Sequence, residues 1–385
     1  MERQGLVAKA KALEALAQMK RIGNLYEQLL DIERIKEIII LAAKGKRKRK
    51  NVLHVLESID LFAEEMLDML TSGEYYLAPT HNKTIMERGK ERVLTISPFF
   101  PNRVLDYIMV ETLKPFIKKS MYEYCVGNVN GRGIRYGERA IKRKYKRYKY
   151  YIKLDIRKFY PSVSSENMCA FIESKIKDAR FLKLCEFVIK SETCLPIGSY
   201  YSQWFSNWYL QDADHAIKEK FGVPFYIRYV DDMLFMGNNK RQLKAAAYAT
   251  KRLLKTLGLD LKRIPAVKQA KDEPIDFLGY RFCESRMKLR KAIFKRLNKR
   301  IKKIRKTKHV CLSQAQSLLS YIGWLKDADG GYLYYKRYIK TAISKGLLRR
   351  VASKSDVYCL ECARRGKCKN PCRPLEKQIR QDFGI

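Results

Sequence analysis

The stretch that decides the fold runs from Phe225 to Gly237 and reads FYIRYVDDMLFMG. Its first half is rich in aromatic and β-branched residues and its second half is apolar, which predicts two strands joined by a tight turn. Asp231 and Asp232 lie at that turn. Because Asp is a favoured turn residue, an ordinary surface hairpin would accommodate this pair.

A second acidic strand end lies upstream of the hairpin. Residues 150–156, YYIKLDI, have the composition of a strand that ends in Asp155. Two carboxylates at a hairpin turn and a third from a neighbouring strand can hold two divalent ions about 4 Å apart, the arrangement that drives nucleotidyl transfer. Asp155, Asp231 and Asp232 are therefore the candidate catalytic residues.

The charge of the chain indicates a polyanionic partner. The 385 residues contain 80 Lys and Arg against 40 Asp and Glu, which gives a net charge of +40. Such an excess opposes compaction unless a polyanion binds; nucleic acid is the leading candidate and a membrane surface the alternative. The hydrophobic content of 46% is that of a globular protein, and the length allows two or three domains.

The sequence predicts a cytoplasmic protein with no membrane span. The longest apolar run, residues 38–43, is far too short to cross a bilayer. Residues 1–20 alternate charged and small residues, which is not the pattern of a secretory signal. Six of the ten cysteines are scattered singly, as expected for buried, reduced thiols in the cytosol.

Apolar periodicity and turn residues predict the remaining helices and strands. The predicted helices cover residues 29–43, 52–70, 104–116, 166–190, 204–219, 241–257 and 313–348, and the predicted strand and hairpin cover 91–96 and 275–282. In residues 286–308, thirteen of 23 side chains are basic, and an apolar stripe predicts an amphipathic helix with a cationic outer face. The stripe consists of Ile293, Leu297, Ile301 and Ile304.

Three segments are candidate nucleic-acid contacts. Residues 44–50, KGKRKRK, are either a solvated loop or a contact with a phosphate backbone. In residues 139–149, seven of eleven are Lys or Arg, interleaved with Tyr145 and Tyr148. This suits a groove that follows a backbone and stacks bases, although an exposed helix face explains each residue equally well. The glycines of residues 127–137 would let the backbone approach a phosphate.

Taken in order, these segments resemble a reverse transcriptase over residues 85–345. DIRKFY (155–160) resembles the first catalytic block of the palm, LPIGSYYSQ (195–203) the second, YVDD (229–232) the third and FLGY (277–280) the primer-grip hairpin. The resemblance implies an α+β, right-hand polymerase fold with fingers, a palm with an antiparallel sheet, and a helical thumb. The expected domains are a basic helical N-terminal extension (1–84), fingers and palm (85–285), the thumb (286–350) and a Cys-rich tail (351–385).

The resemblance also implies roles for individual residues. Two Mg²⁺ ions would be held by Asp155, Ile156, Asp231 and Asp232, because Mg²⁺ prefers oxygen ligands and is completed by substrate phosphates. Tyr160 falls at the steric gate that excludes a ribose 2′-hydroxyl, or is a core tyrosine beside Phe159. The implied substrate contacts are Arg92, Arg103, Ile197, Gly198 and Gln203, and the implied primer grip is Phe277, Leu278, Gly279 and Tyr280.

The second block indicates a subclass. Many reverse transcriptases have glutamine before the glycine and end this block in Ser-Pro, whereas here Ile197 precedes Gly198 and the block ends in Ser202-Gln203. This is similar to the prokaryotic enzymes of diversity-generating retroelements, which have a group II intron-like palm. It implies an RNA template, a DNA product, dNTPs, a small basic accessory protein and error-prone synthesis opposite template adenine. The alternatives are an antiphage defence enzyme with the same chemistry and a catalytically silent RNA-binding protein.

The last segment carries a separate candidate metal site. Cys359, Cys362, Cys368 and Cys372 have the spacing C-x2-C-x5-C-x3-C. Four thiolates suit tetrahedral Zn²⁺, and a segment too short to bury a core of its own would gain stability from a metal. Free thiols or an iron–sulfur cluster are the alternatives.

Overall fold

The computed structural model describes residues 21–334, except 88, 130, 285 and 307–311. These residues form two compact units, and each unit is built from two segments of the chain. The first unit contains residues 21–133 and 152–267, and the second contains 134–151 and 268–334. The predicted zinc site at Cys359, Cys362, Cys368 and Cys372 lies outside the described residues.

Helices and antiparallel strands together make up both units. The helices are α1 (Ile32–Ala43), α2 (Lys50–Glu57), α3 (Ile59–Ser72), α4 (Val104–Ser120), α5 (Ile134–Tyr145), α6 (Phe159–Ser162), α7 (Ser165–Lys175), α8 (Ala179–Ile189), α9 (Tyr200–Tyr209), α10 (Gln211–His215), α11 (Lys240–Thr256), α12 (Lys291–Arg305), α13 (Leu312–Asp327) and α14 (Gly331–Tyr334). The strands are β1 (His81–Glu87), β2 (Lys90–Ile96), β3 (Tyr150–Asp155), β4 (Phe225–Tyr229), β5 (Asp232–Gly237), β6 (Lys268–Gln269), β7 (Ile275–Phe277), β8 (Tyr280–Phe282) and β9 (Met287–Leu289). This mixture of helices and antiparallel sheets agrees with the predicted α+β class, and the right-hand arrangement of fingers, palm and thumb stays a prediction.

The main sheet of the first unit brings the two acidic strand ends together. Its strands lie in the order β4-β5-β3, and β4 pairs antiparallel with β5. All residues of β4 and β5 are buried except Tyr229 and Asp232, which flank the turn. Burial on both faces explains why the hairpin sequence is almost continuously apolar, and it excludes an ordinary surface hairpin.

Several predicted helices are correct in position but divided in the structure. The predicted helix 52–70 is two helices, α2 and α3, because Ser58 leaves helical geometry (φ −122°, ψ 42°). The predicted helix 166–190 is α7 and α8, because the Asp178 side chain accepts a hydrogen bond from Phe181 N–H and so caps a new helix. The predicted helix 204–219 begins earlier, at Tyr200, and comprises α9, α10 and a π turn over Ala216–Lys220. Apolar spacing continues across these breaks, so periodicity alone does not reveal them.

Other boundaries agree with local capping chemistry. Helix α1 begins after Asp31, whose side chain accepts hydrogen bonds from the N–H groups of Glu33 and Arg34. The predicted helix 241–257 is confirmed as α11, with Leu257 as its C-cap and Gly258 in the left-handed conformation (φ 73°) after it. The predicted strand 91–96 is confirmed as β2, which pairs with β1 in an antiparallel hairpin.

The second unit packs helices against a small sheet. Strands β7, β8 and β9 form an antiparallel meander, which confirms the predicted hairpin over 275–282. The start of β3 also belongs to this unit, where Tyr150 and Tyr151 pair with β6. Helix α12 confirms the amphipathic prediction from Lys291 onward, since the four residues of its apolar stripe are all buried: Ile293, Leu297, Ile301 and Ile304. The start of the predicted segment is different, because Met287–Leu289 pair with β8 as strand β9.

Candidate active site

The turn between β4 and β5 has strained geometry. Tyr229 pairs with Asp232, so Val230 and Asp231 are the two turn residues. Val230 has φ 57°, a left-handed conformation that is an outlier for a β-branched residue and costs about 1–3 kcal/mol. The surrounding structure must therefore hold this turn in place.

Asp155 lies directly beside the turn. The N–H of Ile156 donates a hydrogen bond of 3.1 Å to the carbonyl oxygen of Asp231. The carbonyl oxygen of Asp155 in turn accepts from the N–H of Lys262 at 2.9 Å. The first of these bonds ties the end of β3 to the turn, so the structure brings the three predicted aspartates together.

The three carboxylates make an acidic cluster between two lysines. Burial, reinforced by the charges of Asp232 and Asp155, raises the pKa of Asp231 above its usual value. Lys262 Nζ lies 2.5 Å from Asp155 Oδ1, and Lys153 Nζ lies 3.1 Å from Asp232 Oδ1. The cluster therefore has an excess of negative charge that nearby cations only partly offset.

The donor set fits a divalent ion that substrate completes. Within the described ranges, no three His, Cys, Asp or Glu side chains form a ready-made metal cage. Mg²⁺ does not require one, since it is usually bound by one or two carboxylates, water and substrate phosphates. Asp155 Oδ1 is buried beside Lys262 Nζ, so a bound cation there would take the place of the lysine ammonium. The side chain of Ile156 is apolar, so the backbone carbonyl oxygen is the metal ligand that this residue offers.

Asp231→Asn is expected to stabilise the metal-free protein. A carboxylate whose pKa is raised on folding binds protons more tightly in the native state, so stability falls as pH rises from 3.8 through the raised pKa. The asparagine side chain that replaces Asp231 carries no charge, so the variant avoids the cost of ionising a buried carboxylate in the folded protein. In thermal melts with EDTA at pH 8, the variant should melt higher than the wild type, and Mg²⁺ should raise the melting temperature of the wild type only. The advantage of the variant should disappear below pH 3.8; a variant that melts lower than the wild type at pH 8 would contradict the prediction.

A buried ion pair supports the turn at Val230 and Asp231. Arg228 is fully buried, and its guanidinium donates to both carboxylate oxygens of Asp214 at 2.7 and 2.6 Å. The same guanidinium donates to Asn207 Oδ1 and to the carbonyl oxygen of Val230, each at 3.0 Å. Tyr226 adds a hydroxyl hydrogen bond of 2.6 Å to Asp214. Arg228 thus connects the strained turn to the core.

Gly127 and Asn207 hold the other side of the turn. A Cβ at Gly127 would lie 2.7 Å from the nitrogen and Cγ2 of Val230, so only glycine allows this approach. Asn207 Nδ2 donates to the carbonyl oxygen of Gly127 at 2.7 Å. Gly127 therefore serves the packing of the turn, whereas composition alone indicated a glycine that approaches a phosphate.

The second block lies against β2. Thr95 N–H donates to the carbonyl oxygen of Ile197 at 3.0 Å, and a Cβ at Gly198 would lie 2.7 Å from the carbonyl oxygen of Thr95. Arg103 donates to the carbonyl oxygen of Gly198 at 3.1 Å. The structure thus places Ile197, Gly198 and Arg103 together, whereas Gln203 lies on an exposed position of α9.

Tyr160 and Arg92 have different surroundings. Tyr160 is half-buried on α6, where burial raises the pKa of its hydroxyl, a hydrogen bond with Ser206 lowers it, and the charge of Asp231 raises it. Tyr160 is thus an electrostatic neighbour of the acidic cluster. Arg92 is exposed on β2.

The predicted primer-grip residues lie in the second unit. Phe277 and Tyr280 pair across the β7–β8 hairpin, and Leu278 and Gly279 form its turn with φ 50° and 84°. A Cβ at Gly279 would lie 2.4 Å from the Trp324 ring, and Tyr280 donates to the carbonyl oxygen of Trp324 at 3.0 Å. Glycine is required at this turn both for its backbone conformation and for packing against α13.

Comparison with known proteins identifies the family. A model of the family described as reverse transcriptase (RNA-dependent DNA polymerase) matches residues 80–282, which are 203 of the 385 residues. The chain belongs to this family. It is also similar to the Retron Ec73 reverse transcriptase of Escherichia coli, with 27% identity over 161 residues that cover 38% of this chain and 50% of that protein. The chain thus spans about half the length of this curated relative.

The reverse transcriptase match confirms the predicted family. It covers all three aspartates and the second block, and it ends at the last residue of β8. The closer likeness to retroelement enzymes stays a prediction. No helix in the described part of the chain is long and apolar enough to cross a bilayer.

Proposed function

We propose that the protein is an RNA-directed DNA polymerase that copies an RNA template into DNA by two-metal nucleotidyl transfer. The observation that supports this most strongly is the hydrogen bond from Ile156 N–H to the carbonyl oxygen of Asp231, which sets Asp155 beside the Asp231–Asp232 turn. Three carboxylates on two adjacent strands of a strongly basic protein suit divalent ions, a triphosphate and a nucleic acid strand.

Each residue of the cluster has a defined role in this proposal. Asp155 and Asp231 would hold the two Mg²⁺ ions, with Asp232 beside them and the carbonyl oxygen of Ile156 as a further ligand. Bound Mg²⁺ lowers the pKa of an attacking hydroxyl and stabilises the charge that develops on the phosphate. Lys153 and Lys262 offset the carboxylate charge when the ions are absent. Arg92, which is exposed on β2, would bind the triphosphate.

The direct test is templated synthesis. The purified protein should extend an oligo(dG) primer on poly(rC) with dGTP, and only with dGTP, in the presence of Mg²⁺. EDTA should stop the reaction. Extension with every dNTP regardless of template, or no extension with any primer and metal, would overturn the proposal.

Tyr160 is proposed as the residue that selects deoxynucleotides. Replacing it with Ala should raise incorporation of ribonucleotides relative to deoxynucleotides about 10- to 100-fold, because the ring would otherwise collide with the 2′-hydroxyl. Tyr160→Phe keeps the ring and loses the Ser206 hydrogen bond, so it should discriminate like the wild type. Competition assays with matched ATP and dATP measure the ratio. Equal discrimination by all three proteins would make Tyr160 a core residue only.

Ile197 is proposed as the residue that lowers fidelity, as in diversity-generating retroelements. Isoleucine does not hydrogen-bond the incoming nucleotide, so the geometry of the base pair is held less tightly. Sequencing of cDNA made from a defined RNA should show errors concentrated opposite adenine, and Ile197→Gln should reduce them. Even error rates at all four template bases would reject adenine-directed mutagenesis.

A retron-type enzyme is the second candidate, because the similarity to the Retron Ec73 reverse transcriptase favours it. Such an enzyme could serve antiphage defence with the same chemistry. Sequencing the RNA and DNA that copurify with the protein distinguishes the retron type from the retroelement type. A single dedicated RNA with matching cDNA indicates the retron type. A small basic accessory protein that copurifies indicates the retroelement type.

The domain and tail assignments complete the proposal. Residues 85–285 would form fingers and palm, 286–350 the thumb and 1–84 a basic extension. The four cysteines of residues 359–372 would bind Zn²⁺, which metal analysis of the purified protein tests.

A further inference from the structure

A cationic cavity in the first unit lies outside the catalytic cluster. Three basic side chains reach it from different elements: Lys46 from the loop between α1 and α2, Arg49 from the residue before α2, and Arg103 from the residue before α4. Thr95 on β2 and Gly198 of the second block line it as well. Its volume is about 270 Å³.

The cavity has an unbalanced positive charge. In the part of the chain that the structure describes, no carboxylate forms an ion pair with Lys46, Arg49 or Arg103. Asp106 is the nearby acid, but its carboxylate accepts from Tyr200 N–H at 3.1 Å, and burial raises its pKa to about 7. Burial, together with the charges of Arg103 and Arg49, lowers the pKa of Lys46 to about 8. An anion in the cavity would relieve this repulsion.

Size and donor chemistry favour a phosphate group. A water molecule occupies about 30 Å³ in the liquid, so 270 Å³ holds a phosphodiester together with several waters. Arg49 offers a planar fork of donors that matches two phosphate oxygens, and Lys46 adds a point charge. Arg103 already donates one hydrogen bond to the carbonyl oxygen of Gly198. It therefore holds Gly198 at the edge of the cavity and adds positive charge.

The position of the cavity favours a strand phosphate over a nucleotide triphosphate. A triphosphate must reach ions at the acidic cluster, yet the cavity is lined by none of the three aspartates and by neither of their lysine partners. Residues 46–50 are five consecutive basic residues, so cations continue from the cavity along the loop. A row of cations suits the repeating charge of a polynucleotide.

We propose that Lys46 and Arg49 bind a backbone phosphate of the nucleic acid strand that the protein copies, in the cavity closed by Arg103, Thr95 and Gly198. The inference rests on the proposed polymerase function and extends it to a segment that precedes the family match at residues 80–282. It also changes the expected role of Arg103. The resemblance implies that Arg103 contacts the substrate triphosphate, whereas here it lines the site for a backbone phosphate of the nucleic acid strand.

Binding of single-stranded RNA, measured without catalysis, tests the proposal. The variant Lys46→Ala/Arg49→Ala gives up one neutralised phosphate, so its affinity should fall about 5-fold at 0.1 M salt and the slope of log K against log salt should fall by about 0.7. The matched control is Lys244→Ala/Arg252→Ala, which removes the same two charges from exposed positions of α11. The KM for dNTP at saturating template should stay within about 2-fold of the wild type. Circular dichroism should show that both variants are folded.

Single methylphosphonate linkages, which remove one backbone charge at a time, locate the contact. In wild-type protein, one linkage should weaken RNA binding about 5-fold, and the same linkage should have no effect in the Lys46→Ala/Arg49→Ala variant. A raised KM for dNTP with unchanged RNA binding would assign the cavity to the triphosphate and overturn the proposal. Unchanged RNA binding and unchanged KM would show that no phosphate binds there. Loss of RNA binding in a protein that never extends a primer would support the cavity and overturn the polymerase function instead.

Discussion

Replacing Asp231 with Asn is expected to reduce primer extension by about 10³-fold or more while RNA affinity stays unchanged. The amide keeps the size of the side chain and removes its charge, so an ion held there loses a ligand on which several kcal/mol of transition-state stabilisation depend, and each 1.4 kcal/mol is about tenfold in rate. Asp155→Asn should have an effect of the same size, since Asp155 lies beside Asp231 on the neighbouring strand. Steady-state extension on poly(rA)/oligo(dT) and filter binding of the same duplex measure the two quantities.

The control is Asp272→Asn, which removes an exposed carboxylate from the second unit. It should extend primers at the wild-type rate. The metal-free stability of Asp231→Asn provides an internal check, because the same substitution should raise the melting temperature in EDTA. A variant that retained more than about a tenth of wild-type extension would show that Asp231 does not hold a catalytic ion.

The second large effect is expected at Arg228. Arg228→Met leaves the Asp214 carboxylate buried without its partner, and breaking a buried ion pair in this way costs about 3–5 kcal/mol of folding free energy. Arg228→Met/Asp214→Leu replaces both charges with apolar groups, so most of that stability should return. Urea denaturation gives the free energy of unfolding of each protein.

Activity then separates a structural role of Arg228 from a positioning role. In the double variant the carbonyl oxygen of Val230 still lacks its donor, so the strained turn should no longer hold Asp231 and Asp232 in place. We therefore expect the double variant to regain stability but to keep a kcat at least about tenfold below wild type, with the KM for dNTP little changed. Arg228→Lys keeps the charge but not the fork of donors, so its kcat should lie between those of the double variant and the wild type. Full recovery of kcat in the double variant would mean that the ion pair is only structural.

The sequence was sufficient to find the aspartates but not what holds them. YVDD and the strand end at Asp155 stand out because charged residues interrupt apolar strands, and the structure places them together. Arg228 gives no such signal: a basic residue within a strand usually faces solvent, whereas here it is fully buried because Asp214, from another element, meets it. Arg228 and Asp214 are 14 residues apart in the sequence, and no local sequence pattern indicates that the tertiary fold pairs them.

Helix boundaries and the cationic cavity also depend on residues that are distant in the sequence, so local patterns did not predict them. The helix predicted over 166–190 is broken because Asp178 caps a new helix, and its carboxylate also accepts from the N–H groups of Leu25 and Tyr26. These partners lie about 150 residues away, as the separations of 153 and 152 show. The cavity likewise joins Lys46 and Arg49 with Arg103, and only the folded chain brings them together.

Counting bound ions tests the proposed mechanism most directly. Mn²⁺ titration followed by electron paramagnetic resonance, on protein bound to a chain-terminated primer–template and a non-hydrolysable dNTP, should show two tightly bound ions per wild-type chain. Asp155→Asn and Asp231→Asn should each lose at least one, while Asp272→Asn keeps both. Two ions bound with unchanged affinity in both active-site variants would contradict the assignment of Asp155 and Asp231 as the metal ligands.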